Sequence, residues 1–151
     1  MSGLYYESTQ STPIIGSITA AGVRTGVAIT ASYQTEAAGV PTKSFKTAGF
    51  SKMNLDIVYT MGAAETTNSI EIRVEQSPDN INFYQVVNDS TSGGVSTLSP
   101  REFTIVGVNA AARNLSLPLD ISAKYARVSF KETGVAANAG TLYAELTLLG
   151  Q

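Results

Sequence analysis

Alternation with a period of two runs through the chain from Asn54 onward. In SIEIRVEQ, Ser69 to Gln76, the apolar Ile70, Ile72 and Val74 alternate with Glu71, Arg73 and Glu75, which predicts a strand with one buried and one charged face. MNLDIVYT (Met53 to Thr60) repeats the pattern with Leu55, Ile57 and Tyr59, and TLYAELTLL (Thr141 to Leu149) with Leu142, Ala144, Leu146 and Leu148. Further strands are expected in REFTIVGV (Arg101 to Val108), RNLSLPLD (Arg113 to Asp120), YARVSFKET (Tyr125 to Thr133), NFYQVV (Asn82 to Val87) and GVAITASYQ (Gly26 to Gln34). Pro118 cannot donate to a ladder, so its run is expected to be an edge strand or to end there.

Turn-rich pieces separate these runs, and no window holds a helical apolar stripe bounded by caps. A short helical turn is expected near Thr35 to Ala38. The spacing predicts an all-β fold, an antiparallel β-sandwich, jelly-roll-like, of about eight strands. Residues 1–25 differ: they are rich in Ser, Thr and Gly, hold a Tyr5-Tyr6 pair and show no alternation. They are expected to form an extended N-terminal arm, with residues 26–151 forming the sandwich domain.

At 151 residues the chain is the size of one domain that can bury a core without disulfides or metals. The absence of Cys, His and Trp removes thiolate nucleophiles, Cys/His zinc sites and the Ser-His-Asp triad together, so no catalytic residue is named and no enzyme activity is expected. No cofactor and no metal site are expected either. Ten basic and twelve acidic side chains leave a net charge of -2 without a basic stripe, which argues against nucleic acid. PIIGSITAAGV is short and broken by Pro13, Gly16 and Gly22, so neither a signal peptide nor a membrane partner is expected. Low charge, 15% of residues, leaves little repulsion between copies and suits assembly.

The candidate sites lie in loops. In QSPDNINFYQVV, Pro78 presets φ and Asn80 tolerates positive φ, so the stretch is expected to be a hairpin turn. Asp79, Asn80 and Asn82 could instead hold calcium, but the Gly and the distal Glu of a calcium loop are missing. Tyr84 or Phe83 could stack on a sugar, since alternation leaves one of them outside. Asp79, Asn82 and Tyr84 are therefore kept as turn or contact residues. NDSTSGGVSTLSP, Asn88 to Pro100, reads as a flexible tip or contact loop, and its Gly93-Gly94 pair lacks the Lys and the helix of a phosphate-binding loop. Glu71, Glu75, Asp56, Asp120 and Glu145 fit solvated sheet faces better than the facing acids of a glycosidase. Arg73, Arg101, Arg113 and Arg127 could pair with such acids across strands or across subunits.

The segments IEIRVEQSPDNINFYQVV, STSGGVSTLSP and KYARVSFKETGVAANAGTLYAELTLLG carry a resemblance to small β-sandwich virion proteins of tailed bacteriophages. Ser77, Asp79, Asn82 and Phe83 fill its turn motif, and Tyr125, Arg127, Val128, Gly134, Gly140, Thr141 and Leu142 its late strands. The turn departs from the pattern at Asn80-Ile81, where Asp-Gly is commoner, and at Phe83, where Trp is commoner. The resemblance implies a structural role on the particle: a decoration or cement protein on the capsid exterior, assembled in the host cytoplasm, with the major capsid protein and copies of itself, as a homotrimer, for partners. Leu4, Tyr5, Tyr6, Ile14 and Ile15, too apolar for an idle tail, are the expected capsid or subunit contacts. The alternatives are a carbohydrate- or host-receptor-binding module of a tail or head fibre, and a tail or connector component.

Overall fold

A computed structural model describes residues 10–33, 44–109, 111–135 and 137–150, so the helical turn expected near Thr35 lies outside the described residues. The strands are β1 (Gln10–Ile15), β2 (Ser17–Ile18), β3 (Arg24–Thr25), β4 (Val27–Ala28), β5 (Phe45–Lys46), β6 (Lys52–Thr60), β7 (Ser69–Ser77), β8 (Tyr84–Gln85), β9 (Val87–Ser92), β10 (Val95–Pro100), β11 (Glu102–Val106), β12 (Ala112–Asp120), β13 (Tyr125–Thr133) and β14 (Thr141–Leu149). One sheet runs β1-β14-β6-β12 with β4 also on β14, and the other runs β11-β7-β13-β5 with β8 also on β7. All pairings are antiparallel, and the described residues contain no helix.

The two sheets pack face to face through the side chains that alternation places inward. Met53, Leu55, Ile57 and Tyr59 of β6 and Leu142, Ala144 and Leu146 of β14 meet Ile70, Ile72 and Val74 of β7 and Val128 and Phe130 of β13 in one buried cluster. Fully burying each large apolar side chain contributes about 1.5–3 kcal/mol, so these strands hold the fold together. β12 lies at a sheet edge, where Pro118 costs no ladder bond.

The chain before residue 26 is not all arm. Gln10 to Ile15 pairs with β14, and the register shifts between Pro13 and Ile15. That bulge turns two consecutive side chains inward, so Ile14 and Ile15, expected as capsid contacts, belong to the protein's own core. Gly16 follows with φ of 80°, and a Cβ there would collide with the Thr25 carbonyl oxygen. Among the described residues, the strand expected from Gly26 to Gln34 is realised only at β4. Ile29 then donates its N–H to the Gly140 carbonyl at 3.1 Å, and Thr30 accepts from the Glu132 N–H at 2.9 Å, so the segment crosses from one sheet to the other with Ile29 buried between them.

A second departure is the stretch Asn88 to Pro100, which is a β9–β10 hairpin and not a loose loop. Gly93 and Gly94 both take positive φ, 59° and 78°, the geometry that a tight two-residue hairpin turn requires and that glycine supplies without strain. NFYQVV is correspondingly split into β8 and the start of β9.

Inside the sandwich one charged side chain sits at an inward position of β13. Glu132, 1% exposed, accepts from the Tyr59 hydroxyl at 2.6 Å, the Asn68 amide at 3.2 Å and the Gly140 N–H at 2.7 Å. Burial and this carboxylate push the Tyr59 pKa well above its usual value. Glu132→Ala leaves each of those three donors without its acceptor, at about 1–3 kcal/mol per donor, and is expected to lower the unfolding free energy in a urea titration by about 3–9 kcal/mol, a large share of the about 5–15 kcal/mol of a domain. Ile15→Ala is expected to lower unfolding free energy by about 2–5 kcal/mol, whereas Ile18→Ala, at an exposed position, changes it by less than about 0.5 kcal/mol in the same titration.

Candidate functional site

The turn after β7 is built by its own side chains. The Ser77 hydroxyl donates to Asp79 Oδ1 at 3.0 Å and accepts the Asn80 N–H at 2.9 Å. Asp79 Oδ1 also accepts the N–H groups of Ile81 at 2.9 Å and Asn82 at 2.8 Å, while Oδ2 takes the Asn82 side-chain amide at 2.8 Å. Asn80 adopts φ of 62° and accepts from Ser44 at 2.7 Å. Asp79 and Asn82 thus spend their hydrogen bonds closing the turn. Phe83 packs under the Arg127 guanidinium, 4.2 Å from the ring centroid, and Arg127 grips Glu75 with two bonds of 2.7 and 3.1 Å. Tyr84 stands apart with its ring exposed. Leu4, Tyr5 and Tyr6 lie outside the described residues.

The outward face of the β11-β7-β13 sheet is a mesh of cross-strand pairs. Lys131 meets Glu71 at 3.0 Å, Arg73 meets Glu102, and the Tyr33 ring lies beneath both cations, with the Arg73 guanidinium 3.8 Å and the Lys131 ammonium 4.7 Å from its centroid. The Tyr33 hydroxyl donates to Glu71 at 3.0 Å. The Lys131 ammonium is the main cause that holds the Glu71 carboxyl below its usual pKa. Arg73 and Arg127 therefore pair within the chain, Arg127 with the buried Glu75. Among the described residues no group of three or more acidic, His or Cys side chains is arranged to hold a metal ion.

Two features stand out from this background. The first is the β9–β10 hairpin. β7 pairs on one edge with β8 and then with β11, and the hairpin is looped out between them, its root closed by the Arg101 N–H donating to the Val86 carbonyl at 2.7 Å and by the Arg101 side chain donating to Asn88 at 2.9 Å. Every residue from Val87 to Ser99 is exposed, including Val95 at 66% and Leu98 at 64%. Asp89 is the one charged side chain from Val87 to Pro100.

The second is a cleft of about 630 Å³ over the outward face of the other sheet. Its floor is set by register: Asp56 on β6 faces Glu145 on β14 and Ser116 on β12, and Val58 faces Tyr143 and Asn114 in the row above. The short β2–β3 hairpin folds over it and brings in Arg24, whose Nε is 2.9 Å from Glu145 and whose guanidinium lies 5.8 Å above the centre of the Tyr143 ring. Asp56 Oδ1 accepts from the Asn54 amide at 2.8 Å and the Ser116 hydroxyl at 2.6 Å. Tyr143 is 2% exposed, its hydroxyl makes no hydrogen bond, and burial, reinforced by nearby Glu145, pushes its pKa up. Alternation places Asp56 and Glu145 on polar faces, but nothing in their sequence positions says that the two strands pair at the level that sets one acid against the other.

The hydrogen bonds into Asp79, those from the Asn82 and Ile81 N–H groups first, hold its carboxyl well below the ordinary value of 3.8. Because folding lowers this pKa, the stability it contributes is present in full above the ordinary carboxylate range and fades as pH falls below it. The carboxyl carbon of Asp79 is expected to keep its ionised chemical shift at pH 3.8 in an NMR titration, and Asp79→Asn to remove that group's share of the acid dependence. No family model matches the chain, and no curated protein matches it closely enough to mark a relative.

Proposed function

We propose that this chain is a structural, non-enzymatic virion protein that decorates and cements a capsid exterior as a homo-oligomer, a trimer, with a jelly-roll sandwich for its body. The observation that carries the reading is the β9–β10 hairpin. A two-stranded hairpin is marginal in water, and this one carries exposed Val87, Val95 and Leu98 with a single charge. Burial in a groove of a neighbouring protein, with Val87 and Leu98 on one face of the ribbon and Val95 on the other, would remove that apolar area from water and stabilise the ribbon.

The strand order supports the body. β1-β14-β6-β12 facing β5-β13-β7-β11 is the order expected of two interleaved Greek keys, an architecture shared by viral capsid and lectin domains. Fold alone does not assign function, and the virion reading comes from the sequence resemblance together with the hairpin. The first nine residues, with Leu4, Tyr5 and Tyr6, are a further contact segment in this reading. A trimer presents a hairpin from each copy, and simultaneous engagement of several weak contacts raises occupancy on a lattice far above that of one copy.

The test is co-sedimentation with capsids that lack this protein. Val95→Ser combined with Leu98→Ser is expected to leave the melting temperature unchanged, because both side chains are exposed in the free protein, and to lower capsid occupancy roughly tenfold or more. Undiminished occupancy by the double variant, or density for the chain only on the tail in particle reconstructions, overturns the proposal.

A further inference from the structure

We propose that the cleft between the β2–β3 hairpin and the outward face of the β14-β6-β12 sheet is a binding site for a neutral saccharide, held by Asp56, Glu145, Arg24, Asn114 and Tyr143. This stands independently of the capsid reading.

The floor is two rows of side chains on three adjacent strands, Asn114–Val58–Tyr143 and Ser116–Asp56–Glu145. Strand spacing and pleat make it roughly 10 Å by 7 Å, the footprint of one or two sugar rings. The volume, about 630 Å³, also falls in the range of about 300–1,000 Å³ found for small-ligand sites.

Two details set it apart from a solvated sheet face. Like charges directly opposite each other on neighbouring strands are destabilising, yet Asp56 and Glu145 are paired in register. A buried hydroxyl without a partner is also costly, yet Tyr143 has one at the cleft wall, beneath the half-exposed Arg24 side chain. A ligand that donates to the two acids and accepts from Tyr143 would relieve both costs.

Charge selects the class of ligand. A cation would meet Arg24, already seated on Glu145. An anion would meet Asp56 and Glu145. A sugar hydroxyl both donates and accepts, so neighbouring hydroxyls on one ring can serve the acids and the Arg24, Asn114 and Tyr143 donors together. The Asn54 and Ser116 donors fix one oxygen of Asp56 and leave the other, which has no donor among the described residues, as an acceptor for the ligand. Val58 supplies an apolar floor for the C–H face of the ring.

The experiment is a heteronuclear NMR titration of the full chain with methyl glycosides of glucose, galactose, mannose and N-acetylglucosamine, up to about 100 mM because an open site of this size is expected to bind in the millimolar range. At least one glycoside is expected to give saturable shifts at the amides of Arg24, Asp56, Val58 and Glu145. Asp56→Ala, at an exposed position, should weaken that binding roughly tenfold or more. Tyr143→Phe should weaken it while leaving the melting temperature equal or higher, because it deletes a hydroxyl that the free protein leaves unpaired. The proposal is overturned if no glycoside shifts these amides, if calcium chloride shifts them and the glycosides do not, if the shifts centre on Tyr84, or if Asp56→Ala binds as tightly as the parent chain.

Discussion

A single buried carboxylate fixes how the two sheets meet at one end of the sandwich. Glu132 belongs to β13 in one sheet, and its side chain takes a proton donor from Tyr59 in the other, from Asn68 just before β7 and from Gly140 just before β14. Its own N–H holds Thr30 of the crossing segment, whose neighbour Ile29 is tied to the Gly140 carbonyl. Apolar packing alone tolerates sliding of one sheet over the other, but a buried charge is tolerated only where its partners are in place. Gly140 has no room for a side chain, since a Cβ there would lie 2.6 Å from both the Glu132 carboxylate and the Thr60 carbonyl oxygen. The chain segments around residues 30, 60, 68, 132 and 140 are thus set relative to one another by one acid.

With that end fixed, the outer features are hung on the sandwich by edge and register. The β9–β10 hairpin leaves the body where one edge of β7 changes partner from β8 to β11, so it projects without breaking the ladder that carries it. The β2–β3 hairpin is placed by the bulge at Pro13 to Ile15 and by Gly16, which turn the chain out of β1 and over the outward face of β14. One insertion leaves apolar side chains exposed, while the other walls a polar cleft. They rise from different sheets and can act without interfering.

The two outward faces are chemically different, although both are polar. On the β11-β7-β13 face acids and bases alternate across strands, and Tyr33 and Phe83 lie under the cations, so charge is neutralised locally. On the β14-β6-β12 face Arg24 is seated on Glu145, which stands opposite a second acid, Asp56, in the strand register. The Tyr143 hydroxyl, buried without a hydrogen-bond partner, lies on this second face.

The sequence by itself determined the all-β class, the long strands β6, β7, β13 and β14 and the Ser77 to Asn82 turn, because each rests on local rules, alternation and the side chain of Asp79 reaching its own backbone; Pro118 narrowed β12 to an edge or a strand end, and the sheet order made it an edge. Two further features were legible in principle. Parity along YARVSFKET puts Glu132 on the same face as Ala126, Val128 and Phe130, and Gly93-Gly94 between Ser/Thr-rich runs is a hairpin signal. Tertiary structure alone decided the rest. Ile14 and Ile15 look like an arm because a bulge breaks the period by which a strand is recognised, and only the ladder with β14 reveals it. The cleft is beyond local reading for the same reason, since Asp56, Glu145 and Arg24 are far apart in the chain and are brought together by strand register, which is set by the whole core and not by the residues that it aligns.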